Sequence, residues 1–206
     1  MRAARRGAAA VFAALLAAGC GSAAPSAEPP RPLRVTVAVD GLGPEVATGV
    51  PVGDGRVLTV AHVLSGGRAV AVAGRPATVV RVDRRLDLAV LAVPGLRAPR
   101  LRIGRAAGRA EIAVVRDRGA RSLRASVRRR VTIRWRDQPG DRPQIRPGLE
   151  VAARIDPGDS GAPVLDPRGR LLGVVYARSR DEATAWAVNA SAVRSLVARL
   201  SPSARG

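Results

Sequence analysis

Three side chains, far apart in the chain, have the types needed for chemistry on a carbonyl. Ser160 stands in Pro157-Gly158-Asp159-Ser160-Gly161-Ala162-Pro163-Val164. There a hydroxyl is held between two glycines, with an aspartate before it and an apolar run after it. Gly158 has no Cβ to hinder its N–H from turning toward a reacting carbonyl, and Gly161 permits close backbone approach on the other side. An ionised Asp159 can only accept hydrogen bonds, so in a dry site it would pin the turn. Gly, Asp and Ser are also ordinary turn formers, so the octapeptide alone is equally consistent with a plain turn.

The chain has one histidine, His62, in Leu58-Thr59-Val60-Ala61-His62-Val63. A lone histidine is more often structural than reactive. Its company changes that reading: Asp87, in Arg85-Leu86-Asp87-Leu88-Ala89-Val90-Leu91, precedes a continuous apolar strand, where a solvated loop carboxylate has no reason to sit. Asp83, Asp40 and Asp54 are rivals in more turn-like contexts. No second histidine and no usable thiol could complete a zinc set, so no metal and no cofactor is expected.

The elements that must position these groups read as strands. Composition is poor in aromatics (2%), and after Phe12 only Trp135, Tyr176 and Trp186 remain. The interior must therefore be Val, Leu, Ile and Ala, and short Val-rich runs between Gly and Pro favour an all-β protein. Segments 34–40, 46–52, 56–60, 69–73, 77–82 and 88–93 predict a small closed barrel over 34–96. Pro94 to Pro99 marks a boundary. Segments 100–103, 112–116, 122–127, 130–135, 149–154, 163–165, 171–176 and 184–188 predict a second sheet within 97–206, with 137–147 as a polar loop. Asn189 can cap an amphipathic helix over 190–200.

The conjunction T-V-A-H-V, D-L-A-V-L and G-D-S-G-A-P-V, in that order, resembles the chymotrypsin-type serine peptidases, closest in style to the bacterial HtrA-like branch without a PDZ domain. The order His, Asp, Ser is that clan's. The resemblance implies two packed six-stranded antiparallel β-barrels and a C-terminal α-helix, with the site between the barrels. It implies a polypeptide substrate and a serine endopeptidase working through an acyl-enzyme. His62 would be the base, Asp87 its orienting carboxylate and Ser160 the nucleophile. The N–H groups of Gly158 and Ser160 would form the oxyanion hole. Val174, Val175 and Tyr176 match the strand that pairs with extended substrate. Arg154, six residues before the nucleophile, falls near the base of the primary pocket; turned inward it would favour an acidic side chain. The family's second glycine after serine is Ala162 here, and no serine follows Gly173 to brace the aspartate. A catalytically silent binding protein on the same fold, anchored at the cell surface, is the alternative.

The chain start reads as an address. Arg2, Arg5 and Arg6 precede an apolar run from Gly7 to Ala18, too short to span a membrane and suited to a secretory signal over 1–19. Leu16-Ala17-Ala18-Gly19-Cys20 resembles a bacterial lipobox, although Ala17 stands where Leu is usual. The resemblance implies lipid attachment at Cys20 and a protein held on the outer face of the cell membrane; ordinary secretion is the alternative. Residues 20–33 read as a flexible tether. Cys20 is the only cysteine, which excludes an intrachain disulfide.

Net charge is +19, with all 35 cationic residues arginine. It stays extreme once the leader is set aside. Segment 116–146 is densest in arginine and includes Arg128-Arg129-Arg130. It reads as an edge strand guarded by charge, or as a docking face for an anionic surface. Nucleic acid is not expected, because stacking aromatics are nearly absent.

Overall fold

The computed structural model describes residues 28–105, 108–135, 143–179 and 183–199. Two closed six-stranded antiparallel barrels are followed by one helix. The first barrel runs β1 (Leu33–Val39), β2 (Glu45–Gly53), β3 (Arg56–Val60), β4 (Gly67–Val72), β5 (Arg75–Asp83) and β6 (Leu88–Ala92), paired in the order 1-2-3-6-5-4 and closed by β1 on β4. The second runs β7 (Gly108–Arg116), β8 (Gly119–Trp135), β9 (Gln144–Ala152), β10 (Pro163–Leu165), β11 (Leu171–Arg178) and β12 (Thr184–Asn189), closed by β10 on β7.

Each barrel fills itself with small branched residues. Val35, Val37, Val57, Val60, Val72 and Leu91 pack inside the first. Ile112, Val114, Leu149, Val151, Val164 and Leu172 pack inside the second. A third cluster joins the barrels: Val50, Leu58, Leu88 and Val90 from the first meet Leu165, Leu171, Val174 and Val188 from the second. Helix α1 (Ala190–Ala198) seals this seam with Val193 and Leu196. Asn189 caps it as expected, its side chain accepting from the N–H of Ser191 at 3.0 Å.

The sequence reading needs correction in the second barrel. Residues 100–103 are not a strand; Ile103 forms an isolated bridge to Leu171, with the Arg102 carbonyl accepting from Leu171 and the Gly104 N–H donating to it. Segments 122–127 and 130–135 are one 17-residue strand, β8, whose first half pairs with β7 and whose second half pairs with β9. The register slips between Val127 and Arg129. That extra residue breaks the in-out alternation, so Arg128, Arg129 and Arg130 all stay exposed and none points inward. Strand β9 starts at Gln144, inside the expected loop, and ends at Ala152, before Arg154.

Candidate active site

His62 opens a single 3-10 turn, His62–Leu64, directly after β3. Asp87 ends the turn that enters β6, in a left-handed conformation (φ 55°) that aspartate tolerates better than most residues. That turn is fixed locally. The N–H of Leu86 donates to Asp83 Oδ1 at 3.0 Å, the N–H of Asp87 to the Arg84 carbonyl at 3.2 Å, and Leu86 is buried. Antiparallel pairing of Val60 with Leu88 then sets the two turns side by side. Asp87 Oδ2 lies 2.8 Å from His62 Nδ1, and Asp87 Oδ1 accepts the backbone N–H of His62 at 2.9 Å. An ionised carboxylate only accepts, so Nδ1 carries the proton and Nε2 keeps its lone pair. The bond to Asp87 raises the imidazole pKa above its ordinary 6.5, against the opposing effects of burial and of Arg146.

Ser160 comes from the second barrel, and the first barrel holds its turn. Thr48, on β2, donates its N–H to the Ser160 carbonyl at 2.8 Å and its hydroxyl to the Gly158 carbonyl at 3.1 Å. Thr59 in turn donates to the Thr48 carbonyl at 2.9 Å. Gly158 (φ 93°) and Gly161 (φ 88°) both take backbone angles reserved for glycine, and a Cβ on Gly161 would sit 1.9 Å from the Thr48 oxygen. Within the turn, Asp159, Gly161 and Ala162 donate their N–H groups to Asp156, Val175 and Asp159 carbonyls. Among the described residues, no acceptor engages the N–H of Gly158 or Ser160. Those two donors are available to an incoming oxyanion. Also among the described residues, no hydrogen bond joins the Ser160 hydroxyl to the imidazole; in unliganded sites such bonds are commonly long and tighten on binding.

A family model described as a trypsin-like peptidase domain matches residues 47–174. The chain belongs to this trypsin-like peptidase family. Serine protease Rv3671c of Mycobacterium tuberculosis strain H37Rv is 34% identical over 164 residues, covering 74% of this chain; the chain spans 41% of that relative's length. The crystal structure of the Rv3671c protease in its active form superposes with a TM-score of 0.75 at 30% identity, covering 86% of this chain and 84% of that one. The HtrA-type protease AlgW, at 20% identity over 83% of this chain and 60% of its own, shares the fold with a TM-score of 0.67.

In the peptidase domain Val174 and Val175 are fully buried, and both backbone groups of Val175 are bonded to the turn that carries Ser160, its N–H to Ala162 and its carbonyl to Gly161. Tyr176 occupies a register slip of β11 against β12, which frees its ring to sit at the barrel junction. Arg154 is exposed, between buried Ala153 and Ile155. Cys20, with the rest of residues 1–27, lies outside the described residues.

Three residues near the site carried no mark in the sequence. Thr48 is one. Arg116 is the second: it grips Asp159 at both carboxylate oxygens, at 3.2 and 2.6 Å, and also reaches Asp156 at 2.7 Å. The Asp159 side chain is 1% exposed, and Oδ2 also accepts the N–H of Asp156 at 2.8 Å. The carboxylate bonds raise the Arg116 pKa further. Arg146 is the third. It projects inward from β9, 3% exposed, with its guanidinium 4.8 Å from the Tyr176 ring centre and 3.8 Å from Asp87 Oδ2. Burial pushes the Tyr176 phenol up to about 12. The arginine-dense segment is therefore not one outward face. Arg116 and Arg146 turn to the site, and Arg128 and Arg129 pair with Glu150.

Proposed function

We propose that the protein is a serine endopeptidase that cleaves polypeptides through an acyl-enzyme. The observation that carries this is the arrangement around His62: a carboxylate fixes Nδ1 while the opposite nitrogen is left to accept a proton. Two unengaged N–H groups flank the serine on the facing barrel. In this reading Ser160 Oγ attacks the scissile carbonyl as His62 Nε2 takes its proton. The N–H groups of Gly158 and Ser160 receive the negative charge, and loss of one such donor typically costs ~10²–10³ in rate. His62 then returns the proton to the leaving amine, and water repeats the attack on the ester. Asp87 stays ionised throughout and stabilises the imidazolium.

Arg154 is proposed to favour an acidic side chain before the scissile bond if substrate binding draws its exposed side chain inward, and Tyr176 to contact the substrate chain. Export with lipid attachment at Cys20 is proposed for the leader, to be read by palmitate incorporation that Cys20→Ala abolishes. The exposed arginines of β8 are proposed to add attraction to an anionic surface. The test of the activity is a fluorophosphonate probe. Labelling of the wild type, lost in Ser160→Ala and His62→Ala, is the expected result; a well-folded wild type that takes no label overturns it in favour of a silent binding protein.

A further inference from the structure

We infer that Arg146 is a positioning residue for the His62–Asp87 pair: its guanidinium, laid on the Tyr176 ring, fixes the Asp87 carboxylate against the imidazole. The inference rests on the catalytic reading of that pair. Arg146 comes from β9 of the second barrel, whereas Asp87 belongs to the first, so the contact crosses the junction. Asp87 spends Oδ1 on the His62 backbone and Oδ2 on the His62 ring. The guanidinium stands 3.8 Å from that same Oδ2, too far for a hydrogen bond and close enough for an ion pair. At 3% exposure its charge is screened less than that of a surface arginine. Tyr176 supplies the plane that keeps it in place, the ring centre being 4.8 Å away. Tyr176 is the residue left unpaired at the register slip in β11. The strand after Gly173 offers valines where a hydroxyl could have braced the aspartate; a cation from another strand takes that place.

The charge has a second effect. His62 is faced by Asp87 and Arg84 from the turn before β6, by Glu45 from β2, by Arg146 from β9 and by Tyr176 from β11. Asp87 and Glu45 favour the protonated ring, and Arg146 disfavours it. Removing the guanidinium takes away that opposition. That change moves the acid limb of activity to higher pH.

The test uses untagged protein, in which His62 is the only histidine, so its imidazole resonances are assigned without ambiguity. Arg146→Met is expected to lower kcat/KM by about 10- to 100-fold, the range a displaced catalytic group shows. It is also expected to shift both the acid limb and the NMR titration of His62 to higher pH. Arg146→Lys keeps the charge but not the planar stack, and should lose about tenfold in kcat/KM with the acid limb near that of the wild type. A folded Arg146→Met whose titration and acid limb coincide with the wild type overturns the inference, as does Arg146→Lys with full kcat/KM. Should neither variant fold, the wild-type spectrum decides: slowed guanidinium rotation at Arg146 is expected, and a freely averaging guanidinium overturns it. A His62 titration that moves as expected in Arg146→Met, alongside a wild type without peptidase activity, would leave the positioning role standing and sink the proposed function instead.

Discussion

Replacing Arg116 with methionine should disorder the turn that carries Ser160, the proposed nucleophile, without unfolding the barrels. The Asp159 carboxylate is 1% exposed, and Arg116 holds both of its oxygens. Removing one partner of a buried ion pair costs about 3–5 kcal/mol, because the other charge is left desolvated. The Arg116 side chain is 34% exposed, so solvent already screens part of the attraction, and about 3 kcal/mol is the appropriate end of the range. That energy is lost only by the arrangement that keeps Asp159 inside. A rearranged turn in which the carboxylate swings to water is then favoured, carrying the N–H groups of Gly158 and Ser160 out of place. At about 1.4 kcal/mol per factor of ten, kcat/KM falls about 10²-fold. The assay is kcat/KM on an ester or peptide substrate, with a thermal melt to show that the barrels persist. The double variant Arg116→Met/Asp159→Asn removes the orphaned charge and should regain about tenfold. A folded Arg116→Met within about threefold of the wild type would refute the reasoning. So would a double variant no better than the single.

Three further outcomes follow from the geometry. Because Asp87 raises the His62 pKa, kcat/KM should rise with pH through a midpoint above 6.5, and Asp87→Asn should move that midpoint down; a pH-rate series reads both. By linkage, the pair's contribution to stability is fully present below the unfolded pKa near 6.5 and is lost as pH climbs through the folded value, which denaturant melts across that window would show. Thr48→Val removes the bond to the Gly158 carbonyl and should cost about 1 kcal/mol, lowering kcat about fivefold while KM holds steady. Gly161→Ala puts a methyl 1.9 Å from the Thr48 carbonyl at a backbone angle alanine resists, and should cost about 3 kcal/mol or more, seen as a lowered melting temperature and lost labelling.

What could be read before folding was the local chemistry. The glycine-flanked serine, the single histidine and the carboxylate at the head of an apolar strand each show their type and immediate setting in the chain. Barrel strands show as Val-rich runs. What could not be read is where a long cationic side chain goes once distant strands meet. Arg116 and Arg146 sit in the same arginine-dense segment as Arg128 and Arg129, and composition treats the four alike. Inward Arg146 follows outward Ile145, which is 48% exposed, so the strand breaks the apolar-in, polar-out rule at the place where charge is needed. Register slips at Val127/Arg129 and at Tyr176 were equally hidden, because a bulge is decided by the partner strand. Thr48 looked like an ordinary strand threonine; the Gly158 carbonyl that its hydroxyl reaches lies 110 residues away.

The Thr48 clamp has a consequence for how this protein could be dissected or rebuilt. A fragment carrying only the later half would contain Ser160 but would lose the threonine that orients its peptide planes. The earlier half would keep the imidazole and carboxylate without the serine proposed to be their target. On the proposed function, competence is a property of the joint, and a designer could make it conditional by expressing the halves separately and recombining them through fused dimerisation partners.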